Sequence, residues 1–141
     1  MGVNYGTVSN CTVSGRINAV LDMEHILDCG GIVGDNLGTV SDCTFVGEVY
    51  SAVVGGITGA NGGTVKDCWN ISGRVSTGGS NATTRYSGGI IGHLYTNTGN
   101  YNNVRVEGNT YSTATGQQYG IGHDRRLSPA GPSNSGTTQV N

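Results

Sequence analysis

Charge is scarce in this sequence. Of 141 residues only 11% are charged, one of them lysine (Lys66), and nine acids against seven bases leave a net charge of −2. Apart from Arg125-Arg126 there is no basic cluster, so nucleic acid is not an expected partner. No apolar run approaches the ~18 residues of a membrane span, and no secretory leader is visible. Proline occurs twice and phenylalanine once. Four cysteines are present without the C-x₂-C spacing that zinc sites favour, so neither a metal nor a cofactor is expected.

Glycine is plentiful, at 26 residues, but follows no collagen period, and the aliphatic residues recur too regularly for a disordered linker. The regularity is a repeat. "GGIVGDNLGTVSDCTFVGEVY" (30–50) returns as "GGITGANGGTVKDCWNISGRV" (55–75), is preceded by the shorter "GVNYGTVSNCTVSGRI" (2–17), and is followed by "GGIIGHLYTNTGNYNNVRVEGNT" (88–110). The repeating region is residues 1–110, with units near 2–17, 30–49, 55–75 and 88–110; residues 111–141 form a polar, proline-bearing tail. A period within roughly 20–50 residues signals a solenoid, propeller or array.

Within a unit, apolar residues alternate: Val8, Cys11, Val13 and Ile17 in one copy, Val40, Cys43, Phe45 and Val49 in the next. Period two means strand, and the single slip falls at an Asn or Asp. These residues (Asn10, Asp42, Asp67 and, by alignment, Asn103) are expected corners, because an Asx side chain stabilises a turn. The tightest copy is too short for a four-stranded propeller blade. The expected fold is all-β: a β-solenoid of three full coils, a partial coil and an irregular C-terminal cap, stacked at about 4.8 Å. "NAVLDMEHILD" (18–28) is the only candidate helix, and 76–87 a loop outside the stack.

Stacking would bring equivalent residues together as ladders: Val8/Val40/Val65/Tyr101, Cys11/Cys43/Cys68/Val104 and Ile32/Ile57/Ile90. Because Val104 takes the cysteine position in the fourth copy, that slot reads as small, buried and apolar, which a free thiol satisfies. Stacked thiols are the expected state; a disulfide involving Cys29 is the alternative.

The Gly-Gly-apolar-apolar-Gly stretches followed by Gly-Thr-Val-x-Asx-Cys resemble the GLUG-motif repeat of bacterial surface proteins. "GGIVGDNLGTVSDC" and "GGITGANGGTVKDC" carry the match, "GVNYGTVSNC" is truncated, and "GNYNNV" departs from it. The resemblance covers about 2–110. It implies a β-helical stalk or passenger region of a secreted adhesin or surface peptidase, an extracellular location, and no activity of its own.

Catalytic groups are thin. His25, His93 and His123 fall in different units, although His93 and His123 could stack, and the acids are scattered rather than paired for glycoside chemistry. Asp124 with Arg125-Arg126 reads as a capping salt-bridge network. No enzyme is expected. Outward Thr-Val-Ser triplets suggest an ice-binding array, but it decays to Thr64-Val-Lys66. Trp69, Tyr95 and Tyr111, taken as exposed, are candidate contacts for surface glycans. Of the N-x-S/T tripeptides, Asn81 and Asn70 are candidate glycosylation sites. Met1 aligns with Val33, inside a unit, so the first coil begins with an unpaired edge. Its expected partner is a further coil of a longer chain or a second copy stacked head to tail.

Overall fold

The computed structural model describes residues 2–19, 28–71, 73–78, 85–96 and 98–141. Among them the only helical element is a single 3-10 turn at Thr113–Thr115; the regular structure is otherwise strand. Nearly all strand pairing is parallel and in register, and the strands form four sheets. Sheet A takes Val3–Asn4, Val33–Asn36, Thr58–Asn61, Ile91–Leu94 and Ile121–Asp124. Sheet B takes Thr7–Ser9, Thr39–Ser41, Thr64–Lys66 and Arg105–Glu107. Sheet C contains Thr12–Asn18, Thr44–Ser51, Trp69–Asn70 with Arg74–Thr77, Asn109–Ser112 and Thr137–Val140. Sheet D contains Asp28–Gly30, Val53–Gly55 and Tyr86–Gly88. In its first three passes the chain visits them in the order A, B, C, then D, the third pass laying two strands on sheet C; the fourth pass adds strands to A, B and C, and the last only to A and C.

The apolar alternation of the sequence becomes a single core. Ile32, Ile57 and Ile90 are buried beside Val33, Val40, Val65, Phe45 and Val49. The corner residues have the backbone that their side chains suit: Asn10, Asp42 and Asp67 all lie in the left-handed region, at φ 54°, 54° and 52°. Asn and Asp tolerate that conformation better than other non-glycine residues.

The repeated Gly-Gly pair has a packing cause. Gly31, Gly56 and Gly89 face the column Phe45, Asn70 and Tyr111, and a Cβ on any of the three would collide with the side chain opposite it. The absent side chains are the space that the rings occupy. Burying a side chain of Phe45's size stabilises the fold by about 2–3 kcal/mol.

The register corrects the fourth copy. Val106, not Tyr101, follows Val8, Val40 and Val65. The corner after Asp67 is Gly108 (φ 67°) rather than Asn103, and the residue above Cys68 is Asn109 rather than Val104. Val104 is buried, but Arg105 pairs with Thr64, so Val104 stands over Gly63. The reason is chemical. Cys43 and Cys68 turn their thiols toward the carbonyls of Val8 and Val40, each at 3.8 Å, and toward Ser41 and Lys66, at 3.1 and 3.2 Å. Asn109 reproduces the first contact, with Nδ2 donating to the Val65 carbonyl at 2.9 Å. The slot therefore wants a donor rather than an apolar group, and valine cannot fill it.

Of the expected helix over 18–28, residues 20–27 lie outside the described residues, Asn18 ends a strand and Asp28 begins one. Of the expected loop at 76–87, residues 79–84 lie outside the described residues, while Ser76 and Thr77 end a strand and Tyr86 and Ser87 begin one. The tail adds a further layer: Ile121–Asp124 pairs parallel to Ile91–Leu94, and Thr137–Val140 to Asn109–Ser112. Gly131–Ser133 then runs antiparallel to Ile121–Asp124. No helix of the described residues is long and apolar enough to cross a membrane.

Candidate functional site

Three arrangements carry the polar chemistry of the described residues. The first is buried in sheet A. Asn4 Nδ2 donates to Asn36 Oδ1 and Asn36 Nδ2 to Asn61 Oδ1, both at 2.8 Å. The same amides reach the carbonyls of Thr39 and Thr64 at 3.2 and 3.0 Å, crossing to sheet B. The ladder stops at Leu94, and the column ends with Asp124, also buried. Three copies of Asn-x-Gly-Thr (Asn4, Asn36, Asn61) were its signal in the sequence; it went unread because the apolar alternation drew attention to the neighbouring positions.

The second is an aromatic and imidazole cluster where sheets A and D meet. His93 and His123 are register partners with ring centroids 5.6 Å apart, and Tyr86 stacks on His123 at 4.1 Å. Burial first, then Arg125 and His123, hold the His93 pKa down at about 4, and its Nε2 has no hydrogen-bond partner among the described residues. Tyr95 packs against His93 and donates its hydroxyl to the Asp35 carboxylate at 2.8–2.9 Å. Asp28, facing Asp35, is pushed up to about 6, mainly by burial. The Asp35 carboxylate is taken by Tyr95, and the thiols of Cys11, Cys43 and Cys68 point to backbone carbonyls. Among the described residues no three His, Cys, Asp or Glu side chains gather as metal ligands.

The third is the outer face of sheet C. Thr12, Thr44, Trp69, Thr110 and Thr138 form one column, with Trp69 52% exposed. Val46 and Ile71, 39% and 47% exposed, lie beside it. Further along the strands, Arg16, Glu48 and Arg74 form a charged column. Its signal was the "GRI", "GEV", "GRV" run of the three copies (15–17, 47–49, 73–75), which the apolar alternation alone does not single out.

Two of the expected surface roles fail. Tyr111 is fully buried, its hydroxyl 2.7 Å from Asn134 Oδ1 and 2.9 Å from the Gln118 carbonyl, so it is a core residue and not a ligand contact. Asn70 is equally buried; its Nδ2 donates to the Gly89 carbonyl and its Oδ1 accepts from Gly73, so the amide nitrogen is enclosed where a glycan cannot be attached. Both occupy the Phe45 column, which exposure-based reasoning could not distinguish from the outer column one residue away. Tyr95 is half-buried with its hydroxyl committed to Asp35. Asn81 lies outside the described residues. All four cysteines are free. Asp124 is clasped by Arg126, with Nε and Nη2 at 2.9 and 2.7 Å, and by Ser133 at 2.7 Å.

No family model, curated protein or solved structure matches the chain.

Proposed function

We propose that this chain is a non-catalytic module of an extracellular β-solenoid of the GLUG-repeat kind, serving as a stalk or adhesin segment whose first layer receives another parallel layer. The observation that carries the reading is the contrast between the two ends. Val3–Asn4, Thr7–Ser9 and Thr12–Asn18 pair on one side only among the described residues, and Val3 and Tyr5 are 51% and 77% exposed there. An edge of unpaired backbone groups with apolar side chains is a template for strand addition. At the other end Gly131–Ser133 finishes sheet A with an antiparallel edge strand beside the Asp124–Arg126–Ser133 clasp, while Thr137–Val140 pairs on one side only. An antiparallel edge strand does not match the parallel first layer, which favours joining a different stack over endless head-to-tail growth of identical copies. The cyclic A, B, C, D order supports the solenoid, and the resemblance of the repeats supports the cell-surface location.

Sedimentation velocity with negative-stain microscopy over a wide concentration range tests this. The expected result is a particle that pairs with one other copy through its open edge at high concentration and grows no further, a pairing that charge on that edge (Val3→Lys with Tyr5→Lys) abolishes and Leu127→Lys at the other end leaves intact. Long uniform fibres would replace the module with a self-stacking subunit. A monomer at every concentration would remove the edge from the account.

Trp69 favours a second reading, a glycan-binding module. A half-exposed indole flanked by threonines at strand spacing offers a sugar a flat apolar face beside hydroxyl groups.

A further inference from the structure

Beyond Gly15 and Gly47 the outer face of sheet C changes character. Two columns run side by side across three layers: Arg16, Glu48 and Arg74, then Asn18, Tyr50 and Ser76. Together they line an open groove of about 340 Å³. Arg16 and Arg74 lie on either side of Glu48, one strand spacing away from it in each direction, about 4.8 Å. Arg16 is ion-paired with Glu48 at 2.6 Å, while Arg74 has no ionic partner among the described residues. The pair is exposed, 73% on the arginine and 49% on the glutamate. An ion pair so open to solvent contributes little, so Arg16 turns to a better acceptor at little cost. Two guanidiniums to one carboxylate leave the groove locally positive on a chain whose net charge is −2.

The second column supplies the other half of a recognition surface. Tyr50 is 37% exposed. Its hydroxyl passes so close to Gly78 that a Cβ there would fall on it, so the missing side chain sets where the ring lies. Asn18 and Ser76 flank the ring in register with an amide and a hydroxyl. Guanidiniums bind carboxylates through paired N–H donors, an aromatic face takes the apolar face of a sugar ring, and amide and hydroxyl groups exchange hydrogen bonds with its hydroxyls.

We propose that this groove binds carboxylate-bearing oligosaccharides, with Arg74 and Arg16 holding the carboxylate and Tyr50, Asn18 and Ser76 the adjoining ring. The site is separate from Trp69 and rests neither on the stacking of layers at the open edge nor on the Trp69 reading.

The test is an amide-resolved NMR titration of the intact protein with tri-galacturonate, and in parallel with the uncharged galactose trisaccharide. Shifts centred on residues 16–18, 48–50 and 74–76 are expected with the acid, at least tenfold weaker with the neutral sugar, and weakening as salt is raised. Arg74→Ala and Tyr50→Ala should each reduce affinity about tenfold, the size of one charge-assisted or stacking contact. Arg105→Ala, an exposed arginine of sheet B, should change nothing; all three side chains are exposed, so the fold survives, and an unchanged melting temperature verifies it. Equal response to both sugars, shifts centred on Trp69, or no response up to millimolar tri-galacturonate would overturn the proposal.

Discussion

Asn36 donates its side-chain amide to Oδ1 of Asn61 at 2.8 Å, one layer to the next, with both residues fully buried. Asn36 also accepts from Asn4 and donates to Thr64, so one side chain ties three layers and two sheets. Removing a buried partner costs more than the net value of the bond, because the groups left behind are desolvated and unpaired. Asn36→Ala should therefore destabilise the fold by about 3 kcal/mol, read as a lower urea midpoint with unchanged slope. A cost below that of an ordinary surface substitution would mean that the ladder does not form.

The buried thiols of Cys43 and Cys68 should be inert in the folded chain. Burial pushes Cys68 up to about 12 and raises Cys43 as well, so almost no thiolate is present near neutrality. Iodoacetamide at pH 8 should alkylate half-buried Cys11 well before Cys68, with all four cysteines reacting in denaturant, and reductant should leave the melting temperature unchanged. Mass spectrometry after timed quenching reads the order. A disulfide in the purified protein would contradict it.

Much of this fold was legible because repetition reports spacing directly. The columns of Val8, Val40 and Val65, of Cys11, Cys43 and Cys68, and of Ile32, Ile57 and Ile90 stand in the sequence as aligned letters, and their register follows from them. The fourth copy was misaligned because "NNV" looks like "SDC" in letters, whereas the fold keeps a left-handed corner followed by a donor, which Gly108-Asn109 supplies. Tyr111 and Asn70 were missed for a different reason. Trp69 and Asn70 are adjacent on one short strand and point opposite ways, and a tally of aromatic or glycosylatable residues does not contain that parity.

Two half-buried groups should oppose each other as pH falls. An unfolded histidine takes up its proton near 6.5, folded His93 only near 4, so the fold loses stability as pH drops through that interval. Asp28 is raised from 3.8 to about 6, by burial and then by Asp35; it takes up its proton first in the folded state and adds stability over nearly the same interval. Asp28→Asn should therefore raise stability at pH 7 and steepen the loss between pH 6.5 and 4, while His93→Gln should flatten it. Urea titrations at half-unit pH steps measure both slopes. A slope insensitive to both substitutions would contradict the assignment.

The last layer depends on Asp124. Burial alone would raise its pKa; the hydrogen bonds from Arg126 and Ser133 outweigh that and lower it. Its side chain is 1% exposed, and losing it leaves the half-buried Arg126 guanidinium and the Ser133 hydroxyl without their acceptor. Asp124→Ala should cost about 3 kcal/mol and speed amide exchange over 121–140 while leaving 39–66 protected. Uniform acceleration across the chain would mean that the layers unfold as one unit.

The register of the fourth layer is the claim on which the columns depend. A nuclear Overhauser spectrum of methyl-labelled valine tests it directly. The account predicts contacts from Val8 to Val40, Val40 to Val65 and Val65 to Val106 in unbroken sequence, together with a contact between the Asn109 side-chain amide and Cys68. Contacts of Cys68 with the Val104 methyls in place of Asn109, or a Val65 with no neighbour at Val106, would contradict it.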